Sequence, residues 1–218
     1  MSPAAKTRIA ILISGRGSNM ASVMAAAQAP DYPAEIALVL SNRPEAGGLA
    51  HAAAAGIETR AVDHKRFRDR ASFDAALQAE LDAAGIELVV LAGFMRIFSA
   101  PFVEAWTGRM INIHPSLLPL FRGVHTHEQA LRAGVRLHGC TVHFVVPELD
   151  AGPIIAQAAV PVLPGDDPDS LAARILVQEH RIYPAALALV ASGHARLDGD
   201  RVVFADDVRV PEGSLHSL

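Results

Sequence analysis

Short, wholly apolar runs alternate with alanine-rich stretches through the first half of the chain, a pattern that predicts parallel strands joined by helices. Strands are expected over about 8–13, 35–40, 57–62, 87–92 and 109–113, with helices over about 18–29, 46–55, 71–84 and 101–106 between them. Gly56 and Gly85 stand where helix terminators belong. After Pro119 the pattern changes. A helix over about 126–133 precedes two extended runs, Gly139 to Val146 and Pro153 to Val160, expected to pair antiparallel. Asp166 to Asp169 supply caps for a long helix over about 168–191, and Arg196 to Ala205 reads as a hairpin around Asp198-Gly199-Asp200. The expected fold class is α/β: one domain with a Rossmann-like, mostly parallel sheet, flanking helices, a β-rich C-terminal part carrying the late helix, and a flexible tail over 206–218.

The run from Met110 to Pro119, Met-Ile-Asn-Ile-His-Pro-Ser-Leu-Leu-Pro, is the densest in chemistry. Alternate side chains of a strand share a face, so Asn112 and His114 point together while Ile111 and Ile113 point the other way. Pro115 has no amide hydrogen and cannot continue a central strand, which puts the pair at the strand's carboxyl end. Open α/β sheets bind ligands at that edge.

Composition narrows the partners. The 218 residues are 51% hydrophobic, with a mean hydropathy of +0.27, enough to bury a sizeable core. Nineteen Lys and Arg against twenty-three Asp and Glu give a net charge of −4, so no basic excess favours nucleic acid or an anionic membrane. Small molecules are the expected partners. A single cysteine, Cys140, excludes an internal disulfide and fits a reducing compartment, and no run approaches the ~20 apolar residues that span a bilayer. A cytoplasmic protein, monomer or homodimer, is expected.

Ile9 to Ile13 leads into Ser14-Gly15-Arg16-Gly17-Ser18-Asn19, a buried-type strand running through a glycine-bearing turn into a helix. Unpaired amides and a positive dipole make such a helix start an anion site. The same residues also suit an ordinary strand-to-helix turn with a serine cap. A dinucleotide fingerprint needs a third glycine where Met20 stands and an acidic residue where Ser41-Asn42 stand, and no Gly-Lys-Ser/Thr ending follows. NAD and ATP are therefore disfavoured, and a phosphomonoester on a small substrate fits.

Asp150 lies in Glu148-Leu149-Asp150-Ala151-Gly152-Pro153, a loop shaped by glycine and proline. Alone it is a turn aspartate; beside Asn112 and His114 it would orient the imidazole, favour its charged form and pass a proton, with Asn112 donating to an oxyanion. His125, His127, His138 and His143 crowd the same region and raise a zinc site as a competing reading, although a solvated cap and alternating strand positions account for them as well. Met95-Arg96-Ile97-Phe98 follows the fourth strand onto the ligand edge, and Gln178-Glu179-His180 lies on the late helix.

Asn112 to Pro119, with Leu149-Asp150-Ala151-Gly152-Pro153, resembles the formyltransferases that use 10-formyltetrahydrofolate. Ser14 to Asn19, Leu91-Ala92-Gly93-Phe94-Met95-Arg96 and Val124-His125-Thr126-His127-Glu128-Gln129-Ala130 narrow this to the phosphoribosylglycinamide formyltransferase family of purine biosynthesis, over about residues 8–198. The resemblance implies a nucleotide-binding half over about 8–120 and a folate and catalytic half over about 121–200. It implies that Gly17, Ser18 and Asn19 hold a ribose phosphate and that Glu179 engages glycinamide ribonucleotide. Arg70, Met95, Arg96, Ile97, Phe98, Asn112, Val146, Pro147, Glu148, Leu149 and Asp150 are implied to contact the folate. Asn112 would stabilise the tetrahedral intermediate, His114 would donate the proton and Asp150 would keep the imidazole charged. The co-substrate would be 10-formyltetrahydrofolate, with no metal.

Leu120 stands where many relatives carry a polar residue, and Phe121-Arg122-Gly123 is similar to the methionyl-tRNA formyltransferase branch. That branch carries an added carboxyl-terminal domain and the formyltetrahydrofolate hydrolases an amino-terminal one, so length favours neither. A non-catalytic protein binding nucleotide or folate is the alternative of another class, and the set Asn112, His114 and Asp150 argues against it.

Overall fold

The computed structural model describes residues 5–209. Seven strands form one sheet in the order β3-β2-β1-β4-β5-β6-β7: β1 (Thr7–Ile13), β2 (Ala34–Ser41), β3 (Thr59–Ala61), β4 (Leu88–Leu91), β5 (Met110–His114), β6 (Leu137–Phe144) and β7 (Ile154–Pro161). The first five run parallel, and β6 and β7 are added antiparallel on one edge. The β-rich stretch expected after residue 120 is thus an extension of the same sheet. Only β8 (Ala195–Asp198) and β9 (Arg201–Phe204) stand outside it, as the expected hairpin. The tail expected over 206–218 lies mostly outside the described residues.

Period-two alternation distributes β1 between two cores. Ile9, Ile11 and Ile13 join Met20, Val23 and Met24 of α1 (Ser18–Ala26) and Leu171, Ile175, Tyr183 and Leu187 of the last helix. Ala10 and Leu12 face the other side, against Phe73, Leu77 and Leu81 of α3 (Arg70–Ala83) and Phe102 and Val103 of α4 (Ala100–Ala105). Both faces of the parallel strands are covered, which is why they read as continuous apolar runs. The remaining helices are α2 (Gly47–Ala54), α5 (Thr126–Ala133) and α6 (Pro168–Ala191), with a 3-10 turn at His64–Arg66 that periodicity does not signal.

Helix α6 begins where the acidic run predicts. Asp167 accepts from Ser170 N at 2.7 Å, and Ser170 Oγ accepts in return from Asp167 N at 3.0 Å, with Pro168 in the first turn. Asp166 receives both guanidinium nitrogens of Arg174, which hold its carboxyl well below the usual range. Farther along, Tyr183 Oη donates to the Leu91 carbonyl at 2.7 Å and so locks the helix under β4. Among the described residues, no helix is long and apolar enough to cross a membrane.

Strand order reverses between β1 and β4: the chain builds outward through β2 and β3 on one side and through β5 on the other. Such a switch point opens a crevice at the carboxyl ends of the strands. The Gly15 to Asn19, Gly93 to Phe98 and Pro115 to His125 segments all leave the sheet there.

Candidate active site

A cavity of about 550 Å³ occupies that crevice. Asn19, Asn112, His114, Asp150 and Glu179 line it, so the chain before and after about residue 120 contributes polar groups to one space. A more open hollow of about 580 Å³ between Phe121 and α5 holds none of these five residues.

Gly17 occupies the N-cap position of α1 with φ 76°, and no side chain caps the helix. Its first-turn amides are therefore left for a ligand. The start of α2 packs directly on the loop: Gly48 N donates to the Gly15 carbonyl at 3.0 Å, and any Cβ at Gly48 would run into the Ile13 side chain. Asn19 lines the cavity, whereas Gly17 and Ser18, which precede it at the helix start, are not part of its lining.

Glu179, from the middle of α6, is buried and accepts from Asn19 Nδ2 at 2.6 Å. Burial pushes its carboxyl up, and the bond from Asn19 works against that rise. The late helix thus carries into the cavity the carboxyl group that the resemblance singles out.

Asn112 and His114 stand on one face of β5, as the alternation predicts, opposite His143 and Thr141 of β6. Nδ1 of His143 donates to the Phe144 carbonyl at 2.9 Å, which leaves Nε2 to accept from Asn112 Nδ2 at 3.2 Å. Burial lowers the pKa of His143, in keeping with this neutral tautomer. The pair fixes the orientation of the Asn112 amide. His143, read from sequence as a strand residue or a metal ligand, is thus a partner of the candidate oxyanion donor. Only the antiparallel register reveals it.

His114 is buried, with Nδ1 3.5 Å from Asp150 Oδ2 and Nε2 3.1 Å from the Phe121 carbonyl. Both ring nitrogens face oxygen, so the ring is held from both sides. Asp150 has φ 49°, and its Oδ2 also accepts from Gly123 N at 2.9 Å. Two residues on, Gly152 lies against β6 so closely that a Cβ would collide with the Phe144 carbonyl.

Gly93 to Ile97, Val124 and Leu149 complete the cavity. Met95, Ile97, Val124 and Leu149 are each at least half exposed and form an apolar lip. Ser14 sets one side of it, accepting from Met95 N at 2.8 Å while donating to Asn42 Oδ1 at 2.5 Å. Of the other residues expected to contact folate, Phe98 turns into the core between Phe94 and Phe102. Arg70 is exposed and reaches the Phe98 carbonyl at 3.4 Å, and Val146, Pro147 and Glu148 lie outside the cavity wall. Glu148 pairs with Arg122 at 2.6 Å. Among the described residues, no three or more His, Cys, Asp or Glu are grouped to hold a metal ion.

The formyl transferase family profile matches residues 7–187. The chain is 51% identical over 192 residues to the human trifunctional purine biosynthetic protein adenosine-3, covering 88% of this chain and 19% of that protein. It is thus similar to about a fifth of that relative's length. Phosphoribosylglycinamide formyltransferase of Escherichia coli strain K12 is 44% identical over 203 residues, covering 93% of this chain and 95% of that one. Among solved structures, glycinamide ribonucleotide transformylase 1 from Symbiobacterium toebii superposes with a TM-score of 0.89 at 46% identity, over 92% of this chain and 95% of that chain.

Proposed function

This chain belongs to the formyl transferase family, and we propose that it moves the formyl group of 10-formyltetrahydrofolate to the amino group of glycinamide ribonucleotide. The observation that carries the reading is the convergence of two kinds of group on one cavity. Asn19 and Glu179 stand beside an uncapped helix start, while Asn112, His114 and Asp150 stand beneath an apolar lip. The first group suits a phosphorylated amide substrate, the second an acyl transfer from a flat, apolar donor.

The phosphate of the ribonucleotide takes the first-turn amides of α1, with Gly17, Ser18 and Asn19 around it. Glu179 receives the glycinamide N–H groups. The pterin and aminobenzoyl parts of the folate lie along Gly93 to Ile97 and Leu149, and Arg70 and Arg96 offer charge to its carboxylates.

The substrate amine attacks the formyl carbon, forming a C–N bond as the carbonyl electron pair moves to oxygen. Asn112, held by His143, donates to that oxyanion. The attacking nitrogen then gives up a proton to the His114–Asp150 pair, and the folate nitrogen gains one from it, so the pair ends as it began. His114 supplies the latter proton, and Asp150 holds the imidazole in place. The bond from carbon to the folate nitrogen breaks, releasing tetrahydrofolate and the formylated nucleotide. Orientation, an oxyanion donor and one proton relay are what an already activated formyl group requires.

An assay with purified protein and both substrates tests the reading. Tetrahydrofolate release that depends on the ribonucleotide, with the formylated nucleotide identified by mass, supports it. Release indifferent to the nucleotide signifies hydrolysis and overturns it.

A further inference from the structure

The turn between β5 and α5 touches both members of the His114–Asp150 pair. Phe121 offers its carbonyl to His114 Nε2 at 3.1 Å, and Gly123 donates its amide to Asp150 Oδ2 at 2.9 Å. Both residues are in left-handed backbone, with φ 55° and 82°. For glycine this is unremarkable; for a residue as bulky as phenylalanine it is rare and persists only where the surroundings impose it.

Those surroundings are visible on each side. The Phe121 ring meets the His138 ring edge-on, with centroids 5.6 Å apart and planes at 79°, and His138 meets His127 in the same way at 5.5 Å and 81°. His138 is fully buried, and neither of its ring nitrogens has a hydrogen-bond partner. Its place in the site is explained by shape, as a flat wall for Phe121. Upstream, Ser116 Oγ donates to the Leu120 carbonyl at 2.7 Å; downstream, Gln129 Nε2 donates to the Val124 carbonyl at 2.8 Å. Arg122 points outward to Glu148, tying the turn to the Asp150 loop a second time.

We propose that this turn is a positioning element of the reaction: the Phe121 carbonyl and the Gly123 amide hold His114 and Asp150 in one fixed relation, and the left-handed backbone at Phe121 aims the carbonyl. The proposal rests on the formyl-transfer reading above. It adds main-chain groups to a catalytic set, Asn112, His114 and Asp150, otherwise made of side chains. Nothing in the identity of Phe121 matters for the contact itself, only whether the residue there accepts a left-handed backbone.

Two variants separate that role from packing. Both remove the aromatic ring, but asparagine enters left-handed backbone readily and a β-branched residue does not. Phe121→Val is expected to lower kcat about tenfold, the scale of one lost hydrogen bond in the transition state, with KM for each substrate within about twofold of wild type. Phe121→Asn is expected to recover most of that loss. The ring-nitrogen NMR signals of His114 should move in Phe121→Val and return in Phe121→Asn, a readout that requires no turnover.

Equal losses in both variants with His114 signals unchanged would assign the effect to ring packing and overturn the proposal, as would kcat near wild type in both. Should Phe121→Val fail to fold, Gly123→Ala takes its place. A Cβ there meets no protein atom within 4 Å but faces the cavity, so the deciding result is the shift of the His114 signals in the substrate-free protein, where only the backbone is strained. Wild-type protein without ribonucleotide-dependent turnover would refute the formyl-transfer reading, while the NMR comparison would still decide the role of the turn.

Discussion

Asn19 and Glu179, 160 residues apart in the chain, are joined by a hydrogen bond of 2.6 Å that ties the start of α1 to the middle of α6. The bond links the proposed phosphate end of the site to the helix beneath the sheet. Glu179 is kept there at a cost, since a buried carboxylate with one donor is poorly solvated and its pKa is raised by burial. A carboxyl whose folded pKa lies above its unfolded value destabilises the protein as pH rises past the unfolded value. Glu179→Gln is therefore expected to raise Tm at pH 7.5 by a few degrees, about 1 kcal/mol, with the gain shrinking toward pH 4. The same variant should raise KM for the ribonucleotide at least about tenfold, because an amide cannot accept the substrate N–H groups as strongly. Calorimetry and steady-state kinetics on one preparation check both halves.

His143 orients the Asn112 amide, so its loss should act on the oxyanion donor without touching the nucleotide. His143→Phe is expected to reduce kcat by about tenfold or more while leaving KM for the ribonucleotide within about twofold. A rise in KM with kcat intact would show that the contact serves binding alone.

His138 carries the clearest pH signature of the fold. Burial, followed by the neighbouring His127 and His114, drops its pKa from 6.5 to about 4. The unfolded chain therefore binds a proton that the folded chain refuses. Stability is full above about pH 6.5 and is lost as pH falls toward 4. At pH 5 the loss is about 2 kcal/mol, from about 1.4 kcal/mol per pH unit. His138→Leu, which also removes two unpartnered buried nitrogens, should lack this slope. Urea unfolding at pH 7.5 and pH 5 measures it: the variant should gain about 2 kcal/mol on wild type between the two conditions.

Gly152 allows the Asp150 loop to lie against β6. Gly152→Ala must push the loop away from the Phe144 carbonyl, carrying Asp150 with it. A loss of stability of about 2 kcal/mol or more, and a fall in kcat beyond what the stability loss explains, are expected. Unfolding curves and kinetics below the transition temperature separate the two.

Local periodicity carried most of the architecture. The apolar runs at β1, β2, β4 and β5, the helices between them, and the Asp167–Pro168 start of α6 are short-range patterns, and they fall where the sequence predicts them. Asn112 and His114 were legible as a pair because a strand places alternate residues on one face. What was not legible depends on pairing across the chain. The Asn112–His143 contact needs the β5–β6 register, Asn19–Glu179 needs the path of α6, and the Phe121 carbonyl needs a left-handed residue where composition gives no glycine. Phe98, next to the lip residues Met95 and Ile97 in sequence, turns inward because Phe94 and Phe102 offer it a stack.

In the proposed mechanism His114 and Asp150 serve the chemical step rather than binding. The most direct test is a single-turnover rapid-quench measurement of formyl transfer in wild type, His114→Asn and Asp150→Asn, with both substrates saturating and bound folate measured independently. The transfer rate is expected to fall about 10²-fold or more in each variant, with folate and ribonucleotide affinities within a few-fold of wild type. Transfer within about threefold of wild type in either variant would contradict it.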